Sequence, residues 1–137
     1  MKTSRLTELA WAAGLFDGEG STYLSYANTH RYSNPIIKVS ISQSYSPEVL
    51  IRFQAAVRVG KIYGPFKGKE NPYWRYQATC NKAFRMLYLI WPYLSSVKRQ
   101  QAKKAISLFG AKRAAHRKKL IQLGTTPRIV PIRYKLI

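Results

Sequence analysis

Acidic residues are scarce in this chain: Glu8, Asp17, Glu19, Glu48 and Glu70 are all that stand among 137 residues. Any metal chemistry must therefore draw on these five, on His30 and His116, or on Cys80. No His/Cys cluster has zinc-binding spacing. A lone cysteine excludes an internal disulfide and fits a reducing compartment. No loop ends in Gly-Lys-Ser/Thr, which excludes the usual phosphate-cradling nucleotide site. No apolar run is long enough to span a bilayer. Residues 1–10 mix polar and charged side chains with single leucines, unlike a secretory signal. The expectation is an intracellular protein, in cytoplasm, nucleoid or organelle matrix, with no membrane partner.

What the chain has in abundance is positive charge. It carries 24 Lys and Arg and a formal net charge of +19. Such an excess repels itself and attracts polyanions strongly. Nucleic acid is the commonest partner of a domain of this kind. A ribosomal or other RNA-binding protein competes with a DNA-binding one at this stage. With 46% hydrophobic residues the chain can build one core. A single domain is expected over 1–110. Composition shifts after Gly110, where Lys112, Arg113, Arg117, Lys118 and Lys119 crowd together and Pro127 and Pro131 follow, so 111–137 reads as a basic helix and tail.

The periodicities set out an order of elements. Ser4 can cap a helix carrying Leu6, Leu9, Ala10 and Ala13, which should end near Gly18 or Gly20. From Ser21 the pattern is extended, with Leu24 and Tyr26 on one face and Tyr23 and Ser25 on the other. Ile37, Val39 and Ile41 alternate with Lys38, Ser40 and Ser42 in a half-buried strand. Ser46-Pro47-Glu48 opens a second helix, striped by Leu50, Phe53 and Val57 and stopped at Gly60. Lys61 to Lys67 is a third strand with Ile62 and Phe66 inward. Tyr73 to Thr79 is a fourth, with Trp74, Tyr76 and Ala78 inward. Asn81 starts a helix that Pro92 kinks or ends, and another begins near Ser96 with Ala102, Ile106 and Phe109 buried. The fold class is α+β, in the order αββαββα, with a four-stranded antiparallel sheet backed by helices.

Asp17 and Glu19 are the only close pair of carboxylates. They sit in Ala12-Ala13-Gly14-Leu15-Phe16-Asp17-Gly18-Glu19-Gly20, which resembles the nine-residue signature of the LAGLIDADG homing endonucleases. Gly14, Leu15, Asp17 and Gly20 match it literally, and Glu19 stands where that family uses Asp or Glu. The strand order, the Ser-Pro-Glu helix start and the segments Pro92-Tyr93-Leu94 to Lys98 and Gln101-Ala102 are similar as well, over roughly residues 5 to 110.

The resemblance implies a site. Small residues at Ala13, Gly14 and Gly18 allow two such helices to approach until their backbones nearly touch. Each helix then brings its Glu19 to a shared axis, where carboxylates and DNA phosphates can hold Mg2+, or Mn2+ or Ca2+, through oxygen. One copy of the motif implies a homodimer and a pseudo-palindromic double-stranded DNA target, and five acids in one chain point the same way. The alternative for Glu19 is a solvated residue after an amphipathic helix. Asp17 matches a position that more often hydrogen-bonds structurally at the helix end than binds metal. Gln43 matches a polar position near the metal-bound water, with an ordinary strand-end glutamine as the alternative. Lys98 matches a lysine used near the scissile phosphate, with a solvated helix lysine as the alternative. Pro47 departs from relatives that carry an arginine there, and nothing in the sequence shows Arg52 replacing it.

Alternation predicts the DNA-facing side of the sheet. Tyr23 and Ser25 belong to it, then Lys38, Ser40 and Ser42, then Lys61, Tyr63 and Lys67, then Arg75 and Gln77. Hydroxyls, amides and cations of this kind suit base edges and phosphates in a major groove, although a merely solvated face would look similar. Asn28, His30, Arg31 and Asn34 could extend this ribbon. The implied activity is sequence-specific, metal-dependent cleavage of double-stranded DNA. A non-cleaving DNA- or RNA-binding protein or intron maturase of the same fold is the alternative.

Overall fold

Ser4 caps the first helix: its hydroxyl accepts a hydrogen bond from the Thr7 amide at 3.1 Å. In a computed structural model that describes residues 4–29 and 32–124, this helix, α1, spans Arg5–Glu19. Expectations that fall on His30, Arg31 and residues 125–137 lie outside the described residues. After α1 come β1 (Gly20–Thr29), β2 (Tyr32–Ser44), α2 (Glu48–Val57), β3 (Lys61–Lys67) and β4 (Pro72–Thr79). Then follow α3 (Asn81–Ile90), a 3-10 turn (Trp91–Tyr93) and α4 (Ser96–Gln122). The expected order of elements is the observed one.

The strands form one antiparallel sheet in the order β1-β2-β4-β3. One face carries Ile37, Val39 and Ile41 of β2 and Tyr76 and Ala78 of β4, all buried. Helices cover this face. Leu9, Ala12, Ala13 and Phe16 come from α1, Leu50, Phe53 and Val57 from α2, and Phe84, Leu87 and Ile90 from α3. The Phe53 and Tyr76 rings meet edge to face at 4.8 Å, and the Tyr76 hydroxyl donates to the Val59 carbonyl at 2.7 Å. Tyr26, expected inward, is exposed, because it lies beyond Lys38, where β4 stops pairing with β2 and the core ends.

Helix ends follow local chemistry. Ser46 accepts from the Glu48 amide at 3.2 Å and so opens α2, with Pro47 at the cap position. The stop comes before Gly60: Arg58 takes the left-handed conformation at φ 57° and its amide bonds back to Gln54. Pro92 ends α3 in the 3-10 turn, where the Arg99 guanidinium donates to the Trp91 and Pro92 carbonyls.

Helix α4 crosses Gly110 without a break. What changes there is burial, since Ala102, Ala105 and Phe109 belong to the core and every described position from Gly110 on is exposed or only partly buried. No described helix is long and apolar enough to cross a membrane.

Candidate functional site

The end of α1 gathers the site. Gly20 must be glycine, because a Cβ there would run into the Phe16 ring as the chain turns from helix into β1. Gly14 and Gly18 differ, since a Cβ at either would meet nothing within 4 Å. The chain's own packing does not require glycine at those two positions, and glycine inside a helix costs about 0.5–1 kcal/mol relative to alanine. Leu6, Ala10, Gly14 and Gly18 recur every four residues and form an uncharged, exposed stripe. Ala13, expected on that stripe, is fully buried in its own core between Ala12 and Phe16. The helical period turns it inward when Gly14 faces out.

Asp17 and Glu19 have separate employment. Both Asp17 carboxylate oxygens accept from the Ser95 amide, at 3.0 and 3.3 Å, which ties the last turn of α1 to the start of α4. Glu19 is exposed, and no ion pair among the described residues engages it. Lys98, on the first turn of α4, donates from its ammonium to the Gly20 carbonyl at 2.6 Å. Gln101, one turn later, accepts from the Thr22 amide at 3.3 Å. A cation is thus held against the carbonyl of Gly20, the residue that follows Glu19. The sequence offered no sign of the Gln101 contact, because its partner lies on another element.

Gly20 pairs with Ile41, so Gln43 lies two residues past the start of β1, beside the end of α1, and alternation puts it on the helix-facing side with Ile41. Arg52 is not part of this group. It pairs with Glu8 at 2.9 Å and stacks 3.9 Å over the Trp11 ring, and that hydrogen-bonded carboxylate raises its pKa further. Among the described residues no three His, Cys, Asp or Glu side chains cluster as a metal cage. Glu19 is an exposed carboxylate, a hard oxygen donor of the kind divalent cations such as Mg2+ prefer.

The sheet face away from the helices is open. Pairing places Tyr23 opposite Lys38, Ser21 opposite Ser40, Ser40 opposite Gln77 and Ser42 opposite Arg75. On the other edge Lys61 pairs with Gln77 and Tyr63 with Arg75. These residues and Ser25 share the outer face by alternation, as expected. Lys67 does not. The register shifts between Tyr63 and Phe66, and beyond it Phe66 pairs with Tyr73 while Lys67 pairs with Pro72. Phe66, expected inward, thus lies on the outer face, and Lys67 lies on the other. The signal was present in Gly64-Pro65, since a proline within a strand marks an edge or a bulge.

No protein-family model matches this sequence, and neither does any curated protein. Solved structures match its fold. The homing endonuclease I-CvuI, in complex with the I-CreI target, has TM-score 0.64 and 20% identity over 77% of this chain and 68% of its own. The group I intron-encoded homing endonuclease I-CeuI, complexed with DNA, has TM-score 0.63 and 16% identity over 90% of this chain and 62% of its own. The LAGLIDADG meganuclease I-CpaMI, bound to uncleaved DNA, has TM-score 0.61 and 21% identity, and this chain covers 41% of it. The α+β architecture with its four-stranded antiparallel sheet is the LAGLIDADG homing endonuclease fold.

Proposed function

We propose that this chain belongs to the LAGLIDADG homing endonucleases and is a sequence-specific endonuclease that cleaves double-stranded DNA as a homodimer. The observation that carries the reading is the end of α1, where an exposed Glu19 carboxylate stands next to a peptide carbonyl held by Lys98. The fold shared with DNA-bound homing endonucleases supports it. So does the uncharged stripe through Gly14 and Gly18, where the chain's own core places nothing within 4 Å of a Cβ and a second helix could approach closely. Two copies joined along α1 bring two Glu19 carboxylates to one axis at a pseudo-palindromic site.

Glu19 and its symmetry mate would hold divalent metal, Mg2+ in the first instance with Mn2+ or Ca2+ as substitutes, together with phosphate oxygens. The metal, when bound, supplies an activated water and charge neutralisation for phosphodiester hydrolysis. I-CvuI has been crystallised with its target in the presence of Ca, which fits an oxygen-lined site. Lys98 places a positive charge beside the scissile phosphate, where it stabilises the charge that develops on the oxygens. Gln43 approaches the same point from β2 and can orient a water. Asp17 holds α4 in place so that Lys98 reaches Gly20. The outer sheet face, with Tyr23, Ser25, Lys38, Ser40, Ser42, Lys61, Tyr63, Arg75 and Gln77, enters the major groove.

The test is Glu19→Gln. Binding of a target duplex should persist while cleavage with Mg2+ disappears. Unchanged cleavage would remove Glu19 from the chemistry. Absence of cleavage by the unaltered protein on every duplex it binds would leave a DNA-binding protein of the same fold.

A further inference from the structure

The register shift on β3 builds a feature that the outer sheet face otherwise lacks. Phe66 and Tyr73 pair across the strands with ring centroids 5.1 Å apart and planes at 35°. Phe66 keeps 38% of its surface exposed, and Tyr73 is half-buried. The Arg75 guanidinium lies 5.9 Å from each ring centroid. Its Nε donates to the Ser42 hydroxyl at 3.4 Å, which leaves its two terminal nitrogens to point elsewhere. Among the described residues no carboxylate pairs with it. An apolar edge and an arginine fork therefore stand side by side on a surface otherwise made of hydroxyls, amides and lysines.

In a major groove these two chemistries have separate targets. An arginine fork matches the O6 and N7 acceptors of guanine, and an apolar ring edge matches the thymine 5-methyl group. We propose that Arg75 and the Phe66–Tyr73 pair read a guanine beside a thymine, on the part of the target nearest the cut. The position follows from the pairing. Arg75 faces Ser42, one residue past the Ile41 that pairs with Gly20, so the cluster lies at the Glu19 end of the sheet. Along the strands, Tyr23, Ser25 and Lys38 lie on the opposite side of the Gly20–Ile41 pair and face other base pairs. The bond to Ser42 and the two ring contacts together limit the orientations open to the guanidinium.

The inference rests on the reading of the outer sheet face as a DNA surface, and one experiment separates the two. The full chain is used to select duplexes from a randomised double-stranded DNA library. A guanine–thymine step should appear on the same side of the cut in each half-site. Replacing that thymine by deoxyuridine removes only the methyl group and should weaken binding about fourfold, the worth of one buried methyl. Phe66→Ala should bind the thymine and deoxyuridine duplexes equally, whereas Phe66→Leu, which keeps an apolar contact, should still prefer thymine. Arg75→Ala should lose the neighbouring guanine preference. A consensus without this step, or a thymine preference that survives Phe66→Ala, overturns the inference and leaves the DNA-binding reading standing. No enriched duplex at all overturns both.

Discussion

The outer face of the sheet and the outer face of α4 are both basic, yet they differ in kind. The sheet presents mixed chemistry: serines, tyrosines, Gln77, an arginine beside two aromatic rings, and the spaced cations Lys38 and Lys61. Helix α4 presents lysines, among them the exposed Lys103, Lys104, Lys112 and Lys118, and has no acidic residue along its length. The two faces point apart, because α4 packs its Ala102, Ala105 and Phe109 into the core under β1 and β2. Mixed donors, acceptors and apolar edges discriminate between bases, whereas flexible ammonium groups feel any phosphate. On the proposed function, the surface that reads would be carried on rigid strands, and the surface that attracts on a helix that leaves the core after Phe109.

The largest expected effect comes from the lysine that breaks this division. Lys98 belongs to α4 but reaches Gly20. Lys98→Gln should slow cleavage about a hundredfold with little loss of DNA affinity, which single-turnover kinetics and a binding isotherm would separate. Equal loss of binding would return Lys98 to the attracting surface. Arg75→Ala comes next. It should weaken binding of the target about tenfold and leave scrambled duplex nearly unchanged. Replacing Lys103, Lys104, Lys112 and Lys118 together by Gln should lower affinity about fivefold for target and scrambled duplex alike. Titration across salt concentrations should also show a shallower dependence. If the ratio of target to scrambled binding changes instead, α4 also reads sequence.

The smallest effect belongs to the layer between the two faces. Tyr76→Phe removes the hydrogen bond to Val59 and should cost about 1 kcal/mol in denaturant unfolding, with the ratio of target to scrambled binding untouched. Burial holds the Tyr76 phenol neutral well above its ordinary pKa of 10.0. The native chain keeps a proton that the unfolded chain loses, so this contribution is intact below about pH 10 and falls away as pH rises further. The Phe variant should show a flatter alkaline limb.

Much of this molecule is legible before folding. Ser4 as a cap, the turn of the chain at Gly20, the alternation along β2 and the basic excess are local properties, and all reappear in the structure. The candidate site is legible in part. Glu19 stands at the end of α1, where the motif implied it would, but the contacts that surround it come from 78 residues away, Ser95 to Asp17 and Lys98 to Gly20. Arg52 shows the limit from the other side: its nearness in sequence to Pro47 said nothing of its pairing with Glu8.

The sequence alone determined the order of elements, the helix with its carboxylate and the faces of the strands as far as Tyr63, because side-chain period and capping depend on neighbours along the chain. Tertiary structure decided which face of α1 meets the core, so that Leu6, Ala10, Gly14 and Gly18 stay open. It also decided that Phe66 and Lys67 exchange faces, that Asp17 holds Ser95 and that Lys98 meets Gly20. These are choices of partner, made by hydrogen bonds and packing between elements distant in sequence, and no local period contains them.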